Sequence, residues 1–126
     1  MIDQLAMMQA RLNATPHLLR LGRLFCETVL LSVDGDEYYL TFEKGRLEAI
    51  TPGPSRKTPY RFALLTDAEA LAEFWRPVPK PGFHDLFGLV KMGRGQVAGD
   101  ILSLVKNLRF FKEFMALPRE MAKEAA

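Results

Sequence analysis

Residues Gly93–Phe114 read GRGQVAGDILSLVKNLRFFKEF. Three glycines fall in the first seven residues, and then Ile101, Leu104, Val105, Leu108, Phe111 and Met115 recur at the spacing of an amphipathic helix. A helix this apolar along one side must cover something, and the short β patterns elsewhere in the chain are what it can cover. Gln96–Gly99 predicts a short fifth strand. The helix after it is expected from about Asp100 to Leu117, stopped by Pro118.

The glycines invite a nucleotide reading. Gly93, Gly95 and Ala98 satisfy the loose dinucleotide pattern G-x-G-x-x-A, and a helix follows. That chemistry needs a second parallel strand after the helix, with an acid at its end for the ribose. No such strand pattern follows, and Glu113, about 20 residues on, lies on the helix itself. The phosphate-loop pattern fails because no Lys-Ser/Thr pair follows the glycines.

Before this stretch, FCETVLLSV (25–33) is rich in strand formers, with Val29, Leu31 and Val33 on one face. Asp34-Gly35-Asp36 is a turn, and Tyr38, Leu40 and Phe42 alternate beyond it. A second turn at Lys44-Gly45 leads to Leu47 and Ala49, which completes a three-stranded antiparallel meander. TPGPSRKTP (51–59) is a loop on composition, and Tyr60, Phe62 and Leu64 mark a fourth strand. Thr66-Asp67-Ala68-Glu69 fits a capping box with Thr66 as N-cap, opening a helix striped by Leu71, Phe74 and Trp75. Residues 76–82 form a stiff proline-rich connector, and Phe83, Leu86, Phe87 and Val90 predict another helix. At the N-terminus, Ile2, Leu5, Met8 and Leu12 predict a helix over 2–13. Thr15-Pro16 starts one or two further turns that stop at Gly22.

The 126 residues fit a single domain: an N-terminal helical segment (1–22), a core (23–117) and a frayed tail (118–126). With 48% hydrophobic and 25% charged residues, the chain is neither disordered nor membrane-embedded, and no apolar run approaches the ~20 residues of a membrane helix. MIDQLAMMQARL has neither a basic n-region nor a continuous apolar run, so no signal peptide and a cytoplasmic location are expected. The lone Cys26 cannot form an internal disulfide and is expected to be a small buried side chain. A net charge of +2 does not by itself imply nucleic acid, and no nucleic-acid partner is expected. The charge is uneven, however. Residues 76–114 carry seven bases against three acids, a local +4, whereas residues 1–75 carry −2. This reads either as a solvated helix face or as a weak attraction to anionic lipid surfaces.

Catalytic and metal sites are not expected. His17, His84 and Cys26 are scattered, with no nucleophile–base–orienter spacing and no set of metal ligands, so no cofactor and no enzymatic activity are expected. Asp34, Asp36 and Glu37 cluster in a hairpin turn, where acids are common. His84-Asp85 opens a helix, where Asp85 suits the helix dipole.

A short strand with a leading glycine and a closing Gly-Asp, followed by a long apolar helix, resembles the sterol carrier protein-like (sterol-binding domain) family. Gly93, Val97, Gly99 and Asp100 take those places. The resemblance extends back through the meander CETVLLSVDGDEYYLTFEKGRLEAI and through Tyr60–Leu65 with the capped helix after it, nearly all of residues 23–115. Gly95 departs from the pattern, standing where that family has a large apolar residue. It weakens the strand, and it could leave room for a ligand.

The resemblance implies an α+β fold: a five-stranded, largely antiparallel sheet with helices packed on one face and a lipid-binding tunnel between the layers. The implied function is a non-catalytic carrier of an acyl chain, sterol-like or prenyl ligand. Trp75, Phe83, Phe87, Val90, Leu104, Leu108 and Phe111 are the expected lining, with Lys106, Arg109 and Lys112 meeting an acidic head group or membrane. The competing reading is an accessory module with a filled core, acting through a homodimer that uses the helix of Met7 and Met8, or by assisting a lipid-metabolising enzyme.

Overall fold

In the computed structural model, which describes residues 1–125, two tight turns lay down the first half of the sheet. Asp34 (φ 53°) with Gly35 (φ 86°), and Lys44 (φ 51°) with Gly45 (φ 81°), form paired left-handed residues. Two such residues in a row make the turn whose twist matches that of the flanking strands. They join β1 (Thr28–Val33), β2 (Asp36–Glu43) and β3 (Arg46–Pro52) into the expected meander. Residues 53–61 then carry the chain back to β4 (Phe62–Thr66), which lies parallel to β1. β5 (Gly95–Gly99) pairs antiparallel with β4. The five-stranded order is β3-β2-β1-β4-β5, with β1·β4 as its one parallel pairing.

One face of the sheet holds the main core. Val29, Leu31, Leu40, Phe42, Phe62 and Leu64 point into it and meet the helices. On the other face Leu30, Tyr39 and Ala63 form a small buried cluster. Loop 53–61 shields it: the Tyr39 hydroxyl donates to the Ser55 carbonyl at 2.9 Å, and the Tyr60 ring lies 6.4 Å from that of Tyr39.

The helix α1 (Ile2–Asn13) buries Leu5, Met8 and Leu12 completely. Its Gln9 and Asn13 amides donate to the Leu47 carbonyl at 2.8 and 3.1 Å, and Asn13 Oδ1 accepts the Leu47 N–H at 3.0 Å. These contacts satisfy backbone groups on the edge strand β3. α2 (Pro16–Leu21) begins at its proline as expected and ends at Gly22. A Cβ at Gly22 would stand 2.5 Å from the Phe110 ring, so only glycine lets that ring seat there.

Several boundaries differ from expectation. The N-cap of α3 (Ala68–Phe74) is Asp67, not Thr66. Asp67 Oδ1 accepts the Ala70 N–H at 2.7 Å. Thr66 is still paired to Gly95 in the sheet, and its hydroxyl donates to the Arg94 carbonyl at 2.7 Å, so the helix can start only afterwards. The helix α4 (Leu86–Lys91) has six residues and leaves Phe83 in the connector before it. The single long helix expected from Asp100 to Leu117 is two: α5 (Ile101–Lys106) and α6 (Leu108–Met115). They break at Asn107 (φ −116°, ψ 23°), whose side chain donates to the Ser103 carbonyl at 2.9 Å, a local bond that competes with helix continuation.

Pro118 does not end the helical region, and residues 118–125 are no frayed tail. Pro118 sits in the first turn of α7 (Leu117–Ala125), where a missing N–H costs nothing. Arg119 donates to the carbonyls of Phe74 (2.6 and 3.0 Å) and His84 (3.2 Å), and Arg11 pairs with Glu124 at 2.5 Å. Ala126 lies outside the described residues. Cys26 is exposed, contrary to expectation, because it precedes β1 on the wall of an open hollow, where its sulfur donates to the Glu43 carboxylate (3.7 Å) and accepts the Lys44 N–H (3.3 Å).

Candidate functional site

Between β4–β5 and the α4, α5 and α6 helices lies an enclosed void with an entirely apolar wall. Phe62, Ala63, Leu64 and Val97 form the sheet side; Leu86, Phe87, Leu104, Leu108 and Phe111 form the helix side. Its free volume is about 10 Å³, at the lower limit of what a single water occupies (~10–15 Å³). The interior is therefore packed, with a seam between the two layers rather than an open tunnel.

Four of the expected lining residues, Phe87, Leu104, Leu108 and Phe111, come together at this void. The other three do not. Trp75 is half-buried on the core, and its indole N–H donates to the Met115 carbonyl at 2.8 Å, which orients the ring toward the end of α6. Phe83 sits under the Arg94 guanidinium, 5.7 Å from ring centre to cation, and borders an open polar hollow with Glu69, Glu73 and Arg76. Val90 is 37% exposed, because Leu86 and Leu89 take the inward side of α4 and Val90 falls at its edge. Phe62, Leu64, Val97 and Leu86 were missing from the expected set, as was Ala63, which lies between Phe62 and Leu64 with its side chain in the cluster on the opposite face. Strand alternation in β4 and β5 carried the signal for the first three, since period two puts them on the helix-facing side.

Gly95 leaves no vacancy. A Cβ there would lie 3.2 Å from the Leu89 Cβ and 3.7 Å from the Val90 nitrogen, so the missing side chain is replaced by the close approach of α4. The glycine lets a short helix lie against the edge strand.

The charges around the seam are mostly committed. Arg94 bonds the Asp67 carboxylate at 2.9 and 3.1 Å. That guanidinium, with the Ala70 N–H, holds the Asp67 carboxyl below the ordinary carboxylate range. Lys112 pairs with Asp85 at 2.8 Å and lies 5.0 Å over the Phe87 ring; Arg109 pairs with Glu113 at 3.1 Å. Of the three cations expected to meet an acidic group, only Lys106 has no ion pair within 4.0 Å among the described residues. His17 pairs with Glu113 (3.1 Å), whereas the His84 backbone accepts from Arg119, so the two histidines and Cys26 keep separate partners.

A larger hollow, about 520 Å³, opens at the end of the sheet beside Cys26, Thr41, Tyr60 and Arg61. It is open to solvent and edged by charges, with Arg61 bridging Glu27 (3.1 Å) and Asp100 (3.6 Å). The apolar seam is the better candidate for an apolar ligand, despite its size.

No protein-family model matches the sequence. No curated protein matches it either. Solved structures do. A crystal structure of sterol carrier protein 2 superposes with a TM-score of 0.70, covering 90% of this chain and 91% of that one at 15% identity. The chain has the sterol carrier protein fold. A solution structure of a conserved hypothetical protein from Thermus thermophilus, described as possibly sterol carrier protein, gives 0.67 at 16% identity, over 88% of this chain and 80% of the other. A structure described as a UbiJ-SCP2 ubiquinone synthesis protein gives 0.61 at 19% identity, with 90% of each chain covered. Within this sterol carrier protein fold, the seam lies where α4 and α5, each of six residues, meet the β4–β5 side of the sheet.

Proposed function

We propose that the protein binds an apolar, lipid-like molecule, an acyl, prenyl or sterol-like chain, in the seam between β4–β5 and the α4–α6 layer, and carries it without chemistry. The observation that carries this reading is the wall of the seam: entirely apolar, roofed by α6 and by two six-residue helices, α4 and α5. The fold shared with sterol carrier protein 2 supports it. With about 10 Å³ free, binding requires α4 and α5 to move apart. Each methylene transferred from water contributes roughly 0.8 kcal/mol, so a chain of about eight offers roughly 6 kcal/mol against that opening. Lipid-like cargo needs no directed hydrogen bond here, and the wall offers none.

Native mass spectrometry of the protein purified without detergent, followed by solvent extraction, tests the reading. Co-purifying lipid that disappears in a Leu104→Trp variant is the expected result. A wild-type protein that carries nothing and takes up no added fatty acid contradicts it.

The small free volume favours a second reading, a filled-core module acting through self-association or by assisting a lipid-metabolising enzyme. Met8, expected in that contact, is fully buried in the core, so the contact would fall on Met7 with Ile2, 52% and 41% exposed. Removing α1 would take Leu5, Met8 and Leu12 out of the core, so the discriminating variant is Ile2→Ser/Met7→Ser. Sedimentation then reads self-association while lipid uptake is followed separately.

A further inference from the structure

The sides of the seam are not equally closed. Phe87, Val97 and Leu108 are half-buried, whereas Phe62, Leu64, Leu104 and Phe111 are at most 3% exposed. The open side is the outer one, because Val97 belongs to the edge strand β5 and Phe62 to β4, one strand further in and next to β1. On the inner side two rings meet. Phe62 and Phe111 stand edge-on, with centres 5.2 Å apart and planes at 87°. Both line the void, and each has a ring of the aromatic cluster behind it: Phe25 lies 6.3 Å from Phe62, and Phe114 lies 6.3 Å from Phe111. None of Phe25, Phe42, Phe110 and Phe114 lines the void. The pair is therefore the partition between the seam and the filled aromatic core. It has nowhere to recede, since those four rings are at most 2% exposed and interlock at 5.2–5.8 Å. Along the strands, the Thr66–Gly95 end is closed by fully buried Leu89, whose Cβ would stand 3.2 Å from a Cβ on Gly95.

We propose that the Phe62–Phe111 pair is the stop of the binding seam and sets the length of chain it accepts. This rests on the carrier function proposed above. The cargo enters at the half-buried side, apolar end first, and its terminal methyl comes to rest against the ring pair. The seam crosses only two strands, set about 5 Å apart, so the buried part of the cargo is short. Each methylene up to the stop leaves water and strengthens binding about fourfold. Methylenes beyond that number stay outside the mouth, in water, and add little. Length is selected by two rings and not by a polar group, since the wall is entirely apolar. Phe62 and Phe111 are thus specificity-determining residues, and the cargo class is a straight chain of limited length.

Calorimetric titration with straight-chain carboxylates, from hexanoate to tetradecanoate, tests this. In the wild type, affinity should climb about fourfold per methylene and then level off within the series. Phe111→Leu should move that break to a longer chain, because it removes one ring of the partition. Phe42→Leu is the control for loosening of the core. Phe42 is 1% exposed and packs edge-on against Phe110 and Phe114 without lining the void, so its loss should lower the melting temperature and leave the break in place. If Phe111→Leu melts below the assay temperature, Phe62→Leu is read in the same way. An affinity that climbs without a break to tetradecanoate overturns the stop and leaves the carrier function standing. So does a break that stays put when either ring of the pair is replaced, or one that moves equally in Phe42→Leu. A wild type that binds no member of the series removes the carrier function, and the stop with it.

Discussion

Over β1–β3 the helical layer is locked by a cluster of four interleaved rings, whereas over β4–β5 a single edge-on ring pair, Phe62 with Phe111 at 5.2 Å, is flanked by two short helices that close over a glycine. On the first side Phe25, Phe42, Phe110 and Phe114 are at most 2% exposed, and Phe42 meets Phe110 and Phe114 edge-on at 5.8 and 5.2 Å. Such pairs add about 0.5–1.5 kcal/mol beyond burial. The Arg11–Glu124 pair joins the first helix to the last, and Arg119 ties α7 to the end of α3. On the second side Val97, Phe87 and Leu108 are only half-buried, and α4 reaches the sheet through the gap that Gly95 leaves. One layer thus has an end locked by a ring cluster and an end where short helices are held by the Arg94–Asp67 and Lys112–Asp85 pairs. The void falls at the second. Local opening is drawn from the parts of a fold with the fewest buried contacts.

Truncations at the two ends sharpen this contrast. Phe114→Ala should cost about 3–5 kcal/mol in urea unfolding, because it opens a cavity among rings that cannot collapse. Leu104→Ala at the seam should cost about 2–3 kcal/mol, as the neighbouring α4 and α5 can relax into the space. Equal costs at the two sites would break the comparison. Gly95→Val comes next, at about 1–2 kcal/mol. Its side chain would push α4 from β5, and faster amide exchange confined to residues 86–106 should accompany it.

The smallest effect is in acid. Arg94 and the Ala70 N–H lower the folded-state pKa of Asp67, so its contribution is complete above the ordinary value of about 3.9 and is lost as pH falls through the depressed one. Thermal melts at pH 7 and pH 3 should show Asp67→Asn losing less stability on acidification than the wild type. The difference should stay under about 1 kcal/mol, since the pair is one-third exposed. An Asp67→Asn protein as acid-sensitive as the wild type would remove the pair as a clamp on α3 and β5.

Much of the first half was legible in the sequence. Two-residue turns at Asp34-Gly35 and Lys44-Gly45 fix the β1–β2 register, but a bulge at Thr41/Phe42 shifts the β2–β3 pairing, so Ala49 does not follow Leu47 into the core and Ile50 packs there instead. The helices after β4 were less legible because their limits are tertiary. Asp67 caps α3 because Thr66 is held in the sheet. Pro118 opens a helix because Arg119 finds carbonyls on another element. The same holds at the candidate site. Phe87, Leu104, Leu108 and Phe111 could be read from helical spacing, but Trp75 is turned away by one hydrogen bond to Met115, and Phe83 by a guanidinium 11 positions later in the chain. Gly95 signalled space in the sequence, and the fold fills that space with α4.

An apolar ligand that enters at the β4–β5 end should leave the ring cluster over β1–β3 shut. Titration of isotope-labelled protein with decanoate, followed by methyl and aromatic NMR, tests it most directly. Saturable shifts are expected at Phe87, Val97, Leu104 and Leu108, with Phe25, Phe42 and Phe114 unmoved. Shifts centred on those three rings, or none at the seam under saturating ligand, would contradict it.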